Sequence, residues 1–211
     1  MKVIYDAAHG FGVRFDGQSL LSYGDASTLS FHATKLFHTG EGGGIVCQDK
    51  AAAEVIYYHH NFGHRGEEGF WGLGINGKMS ELNAAMGLSL LPYIDQIISK
   101  RKEACKFYDD LLSGSDLQRI KLRRGAEWNY SYYPVVFRSD DDLMRAKNSL
   151  NSQQIFPRRY FYPSLNMLPY LPYQEMPIAE DVSKRVLCLP LSADITGEQI
   201  EVICKAILER V

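Results

Sequence analysis

"SFHATKLFHTGEGGG", residues 30–44, sets a single lysine, Lys35, among Phe31, Ala33, Leu36 and Phe37 and just ahead of a glycine run. The nearest charged side chains in sequence are Asp25 and Glu41. A lysine on an ordinary surface sits among other charges. One with apolar neighbours either lays its stem on apolar surface with its head in water or is partly desolvated. A desolvated amine is available as a nucleophile. The glycines allow a turn or a close backbone approach, but they lack the spacing of a Walker phosphate loop. The rest of the chain decides between the two roles for Lys35.

The 211 residues are 45% hydrophobic and 23% charged with a net charge of −2, the balance of a soluble protein of one large or two small domains. That charge argues for neither nucleic acid nor a membrane surface as a partner. No apolar run approaches the roughly 20 residues needed to span a bilayer. "MKVIYDAAHG" at the start does not read as a signal peptide, because its apolar run is cut short at Asp6. Cys47, Cys105, Cys188 and Cys204 show neither paired nor metal-type spacing, so reduced thiols and a cytoplasmic location are expected. His59, His60 and His64 lack an acidic partner, and Asn61, Phe62 and Gly63 oppose a helix there; no metal site is expected.

Along the chain, "KVIYD" reads as a buried strand ending at Asp6, and "GGIVCQ" as another. "DKAAAEVIYYHHN" is a helix capped by Asp49, and "GHRGEEGFWGLGINGKM" a long functional loop. "SELNAAMGLSLL" is an apolar helix broken at Pro92, with Ser80 and Asn83 forming an imperfect capping box. "DQIISKRKEACKFYDDLL" is a long amphipathic helix ending at Gly114. Beyond residue 115 come a strand "SYYPVVFR", a helix "DDLMRAKNSL" capped near Ser139 or Asp140, a second strand "SQQIFPRRYFYPSL" running into a proline-rich loop, and a helix capped by Thr196. The expected organisation is a larger part over 1–114 and a small α/β domain over 115–211. A strand buried on both faces needs neighbours that the chain before Cys47 hardly supplies; either the first segment is an edge strand or sequence precedes residue 1, and the second is expected.

Taken together, "VIYDAAHGFG", "SFHATKLFHTGEGG", "LGINGKMSELNAAMGL", "PRRYFYPSL" and "CLPL" resemble, in order and spacing, the sugar aminotransferases of the DegT/DnrJ/EryC1/StrS family. The resemblance runs over essentially the whole chain. It implies an α/β fold: the C-terminal part of the large domain of a fold type I pyridoxal-phosphate transferase, followed by a small α/β domain. The family's N-terminal portion, with a cofactor-phosphate loop and the aromatic side chain that covers the ring, has no counterpart in these residues.

The resemblance implies pyridoxal 5'-phosphate as cofactor and gives several residues roles. Lys35 matches the Schiff-base lysine and proton shuttle. Asp6 matches the partner of the ring nitrogen; a carboxylate at the C-terminal end of a parallel strand faces the crevice where α/β sheets bind ligands, and the other reading is a cap for "AAHG". His9 would lie beside the ring, or be a satisfied buried histidine. Ser30 matches a phosphate-binding hydroxyl. Asn76 matches an asparagine reaching across a dimer interface to the neighbour's cofactor phosphate, which implies a homodimer with composite sites; alternatively it is a turn residue before Gly77. Arg158, Arg159, Tyr160 and Tyr162 fall where the small domain helps hold a sugar nucleotide, or form a charged strand edge. Trp128 and residues 130–133 read as core.

The implied function is transfer of an amino group from an amino acid, glutamate being the expected donor, to a nucleotide-diphosphate keto sugar. A dTDP-4-keto-6-deoxyhexose destined for polysaccharide is the expected substrate. Two other readings stand beside it. A pyridoxal-phosphate sugar dehydratase on the same fold carries histidine in place of the lysine, and Lys35 argues against it. A truncated, non-catalytic remnant would keep the dimer surface and hold no cofactor.

Overall fold

The computed structural model describes residues 1–209. In chain order the elements are β1 (Ile4–Asp6), β2 (Arg14–Phe15), β3 (Gln18–Ser19), β4 (Ala26–Ser30), β5 (Gly43–Cys47), α1 (Lys50–His59), α2 (Glu81–Leu90), α3 (Ile94–Leu111), β6 (Gln118–Arg119), β7 (Ala126–Glu127), β8 (Tyr133–Val136), α4 (Asp140–Ser152), α5 (Pro177–Arg185), β9 (Val186–Leu189) and α6 (Gly197–Leu208). The helices begin where side chains can take up free backbone N–H groups. Asp49 accepts from Ala51 N at 3.1 Å to open α1, and Ser80 accepts from Asn83 N at 3.2 Å to open α2. Thr196 and Gln199 form a reciprocal capping box at α6.

The chain packs into two compact units: Met1–Ile97 with Arg123–Asn129, and Ile98–Leu122 with the chain from Tyr130 onward. The sequence places a boundary at Gly114, whereas the units divide within α3. The reason is the second unit's core, which takes Ala104, Cys105, Tyr108 and Leu112 from that helix and its end.

In the first unit, β4 is central to a three-stranded sheet in the order β1-β4-β5. β1 runs parallel to β4 with Asp6 opposite Thr28, and β5 runs antiparallel with Gly43 opposite Ser30. Among the described residues β1 lies at the edge of this sheet and Ile4 is 70% exposed, the open side that the sequence leads one to expect of this strand when no chain precedes it. β2 and β3 form a hairpin over Asp16-Gly17, both at positive φ (46° and 76°), the conformation that favours Asp-Gly in a two-residue hairpin turn. The buried apolar side chains Ala7, Leu36, Phe37 and Ile94 make a thin core. α2 is apolar on all sides, yet only Gly87 of it is buried.

In the second unit, β8 is central to the sheet β6-β8-β9, antiparallel throughout. Leu143, Ala146 and Leu150 of α4 and Ile200, Ile203 and Ile207 of α6 are buried with Val135 and Leu187 of the sheet. Each such side chain contributes about 1.5–3 kcal/mol by leaving water, which gives this unit the stronger core. Two sequence expectations are corrected. The strand foreseen over residues 152–165 is a single bridge, Arg158 to Cys188: Gln154 turns the chain at positive φ (61°), and Pro157 has no N–H to give a ladder. The proline-rich stretch also ends in a helix, α5, with Pro177 at its start, where a missing N–H costs nothing.

Candidate active site

Parallel pairing of β1 and β4 brings two loops to the same end of the sheet. Leaving β1, the chain turns at Ala7–Gly10, where Gly10 N donates to Ala7 O at 2.7 Å. Leaving β4, it turns at His32–Lys35, where Lys35 N donates to His32 O at 2.9 Å. His9 sits on the first turn and Lys35 on the second, and Lys35 Nζ lies 3.0 Å from His9 Nε2. Both side chains are half-buried. The amine and the ring nitrogen are within hydrogen-bond distance, with donor and acceptor set by the tautomer of the ring.

The environment favours the neutral ring of His9. Burial holds its pKa below the ordinary value, the Lys35 amine adds to the effect, and the Asp6 carboxylate opposes it. Asp6 ends β1, and its Oδ1 accepts from Ala8 N at 3.0 Å; it therefore does cap the turn. Ser30 ends β4 and its hydroxyl accepts from His32 N at 3.4 Å.

Aromatic packing locks the two turns together. Phe11 stacks on Phe37 with centroids 4.5 Å apart, and Phe31 meets Phe37 edge-on at 5.0 Å. The lysine turn is also tied to α2: the side-chain amide of Asn83 donates to Thr39 O, and the Thr39 hydroxyl donates to Glu41 O at 2.7 Å. The sequence singles out Lys35 and His9 but not the stacking of Phe11 on Phe37 or the bond from Asn83 to Thr39, whose partners lie 26 and 44 residues apart.

The structure brings Asp6, His9, Ser30 and Lys35 together at one sheet end. Asn76 belongs to a different neighbourhood. It bridges Asn61 in the loop after α1 instead of forming a turn, and its Oδ1 accepts from Lys78 Nζ at 2.7 Å. In the second unit, Arg158 donates to the Tyr160 hydroxyl at 2.6 Å and lies over its ring. Arg159 pairs with Asp140, donates to Lys184 O and covers the Tyr162 ring at 3.8 Å. The thiols offer no competing nucleophile in that unit: burial pushes Cys105 and Cys204 up to about 12 and Cys188 up to about 11.

Among known proteins, the profile of the DegT/DnrJ/EryC1/StrS aminotransferase family matches residues 1–208. A dTDP-4-amino-4,6-dideoxy-D-glucose transaminase of Shigella dysenteriae is 43% identical over 99% of this chain and 59% of its own length. One of the same description from Escherichia coli is 36% identical over the same shares. The crystal structure of DesI in the presence of its TDP-sugar product superimposes with a TM-score of 0.89 at 30% identity, over 98% of this chain and 55% of that one. The chain thus spans little more than half the length of these relatives.

Proposed function

The chain belongs to the DegT/DnrJ/EryC1/StrS aminotransferase family, and on that premise we propose that it carries the catalytic lysine of an amino transfer from an amino acid to a nucleotide-linked keto sugar. The observation that carries the reading is the Lys35–His9 contact of 3.0 Å beside Asp6 at the end of a parallel strand. The relatives described as dTDP-4-amino-4,6-dideoxy-D-glucose transaminases support a dTDP-4-keto-6-deoxyhexose as the substrate; glutamate is the proposed donor.

The donor set fits pyridoxal phosphate: an amine, a carboxylate, an imidazole and a hydroxyl at one sheet end. Lys35 would hold its aldehyde carbon, Asp6 its ring nitrogen and Ser30 its phosphate, with His9 beside the ring. Asn76 of a second copy would complete the phosphate contacts in a homodimer. When bound, the group supplies an electron sink for a carbanion next to nitrogen. The protein's part is proton management. An unprotonated Nε2 on His9 would accept from the Lys35 amine and so offer a route for the proton that amine must lose before it acts as base. Asp6, anionic and fixed by Ala8 N, would hold a positive ring nitrogen. Arg158 and Tyr160 of the second unit would take the sugar-nucleotide diphosphate, for which the guanidinium fork suits paired oxygens; Arg159, tied to Asp140, would hold that segment in place.

The test is covalent trapping. Pyridoxal phosphate is added to the chain, borohydride reduces any adduct, and peptide mapping locates it. Lys35 should be labelled ahead of exposed lysines such as Lys102, and Lys35→Ala should lose both the label and amino transfer. Equal labelling of all lysines would instead support the non-catalytic remnant.

A further inference from the structure

After Leu122 the chain rejoins the first unit for Arg123–Asn129 only. The visit is short and makes specific attachments. β7 pairs with β2, Glu127 opposite Arg14 and Ala126 opposite Phe15, and Asp16 N donates to Gly125 O at 2.9 Å. At its end stands Asn129, 1% exposed. Its Nδ2 donates to His9 O at 2.9 Å and to Phe11 O at 2.8 Å.

Both protons of one amide therefore go to carbonyls two residues apart, on either side of Gly10. The same segment is fixed at its front by the Phe11 ring against Phe37, two residues beyond Lys35. With its backbone held at His9 and Phe11, the turn presents the His9 ring in one direction. If the amide were removed, two part-buried carbonyls would lose this donor, and the turn would shift to reach water. The imidazole would move with it.

We propose that Asn129 is a positioning residue: by holding the His9 and Phe11 carbonyls it sets the His9 ring against the Lys35 amine. Its importance for turnover rests on the function proposed above; the placement itself does not.

The test reads the His9–Lys35 pair directly. The charged groups facing His9 are the Lys35 amine, which opposes its protonation, and the Asp6 carboxylate, which favours it. The His9 pKa is measured by imidazole NMR on the whole chain, assigned with His9→Gln, with and without Lys35→Met. In the wild-type background Lys35→Met should raise the His9 pKa. In Asn129→Leu, which keeps the volume and loses the donors, that rise should vanish. Asn129→Ser, with one short donor, should keep part of it and serves where the leucine variant does not fold. A coupling of wild-type size in either folded variant overturns the proposal. Failure of both to fold also overturns it, since Asn129 would then be a requirement of the fold and not of His9's orientation. No cofactor is needed, so a chain that binds none leaves this outcome intact, and the two readings fail separately.

Discussion

Lys35 Nζ and His9 Nε2 meet at 3.0 Å although 26 residues separate them in sequence. The contact exists because β1 and β4 are parallel neighbours whose C-terminal ends release both turns on one side. It places a histidine whose protonation is disfavoured beside a lysine amine.

The first consequence is a pH-dependent stability. Burial, then Lys35, hold the folded His9 pKa below its ordinary value, against a smaller opposing effect of Asp6. The unfolded chain therefore binds the proton more readily. The stabilisation is full above the unfolded value of about 6.5 and is lost as pH falls from there through the folded value. Urea midpoints should drop across that interval, and less steeply in Lys35→Met, where one cause of the shift is gone. Parallel profiles for the two proteins would show that Lys35 does not act on His9.

Asp6→Asn separates the two tasks of that carboxylate. The Oδ1 that accepts from Ala8 N has an equivalent in asparagine, so stability should change by no more than about 0.5 kcal/mol. The charge that would hold a protonated ring nitrogen is lost, so amino transfer should fall by on the order of 10²-fold or more while Lys35 is still labelled. Turnover close to wild type would reduce Asp6 to a cap of its turn.

Gly87 tests how α2 supports the lysine loop. A Cβ added there would lie 2.8 Å from Thr39 Cγ2 and 3.3 Å from Phe37 Cζ. Thr39 cannot readily give way, being 2% exposed with its hydroxyl bonded to Glu41 O. Gly87→Ala gains about 1 kcal/mol of helix propensity against about 1–3 kcal/mol of overpacking. Thermal melting should show a net loss of about 1 kcal/mol. A rise in melting temperature would mean that α2 does not press on this loop.

What could be read from the sequence follows how local each cause is. Asp49, Ser80, Ser139 and Thr196 were legible as caps because each acts within three residues. Asp6, His9, Ser30 and Lys35 stood out through a motif, and their meeting needed only β1 beside β4. Asn129 gave no signal: nothing in "EWNYSYY" points to carbonyls 118 and 120 residues away. The strand expected around Arg158 and Arg159 failed for local reasons. Gln154 turns the chain at positive φ (61°), Pro157 brings no N–H, and a single bridge to Cys188 remains. The edge position of β1 depends on what lies beside it, which its own "IYD" does not encode.

The exposure of α2 leads to the last prediction. Leu82 is 85% and Leu88 70% exposed, and six positions on a 3.6-residue period put them on different sides of the helix. Apolar surface of this breadth on a helix recruits a partner or aggregates. At micromolar concentration the chain should sediment as a concentration-dependent associated species. Leu82→Glu and Leu88→Glu, made separately, each place a charge where association would bury it, so the variant on the associating side should shift the distribution towards monomer. The other should leave it unchanged, which identifies the face. Both leucines are already in water, so neither change should cost the folded chain more than about 0.5 kcal/mol, and loss of association cannot be put down to unfolding. A wild-type chain that sediments as a monomer at every concentration would mean that α2 tolerates water as it stands, and would remove the support its surface lends to a composite site.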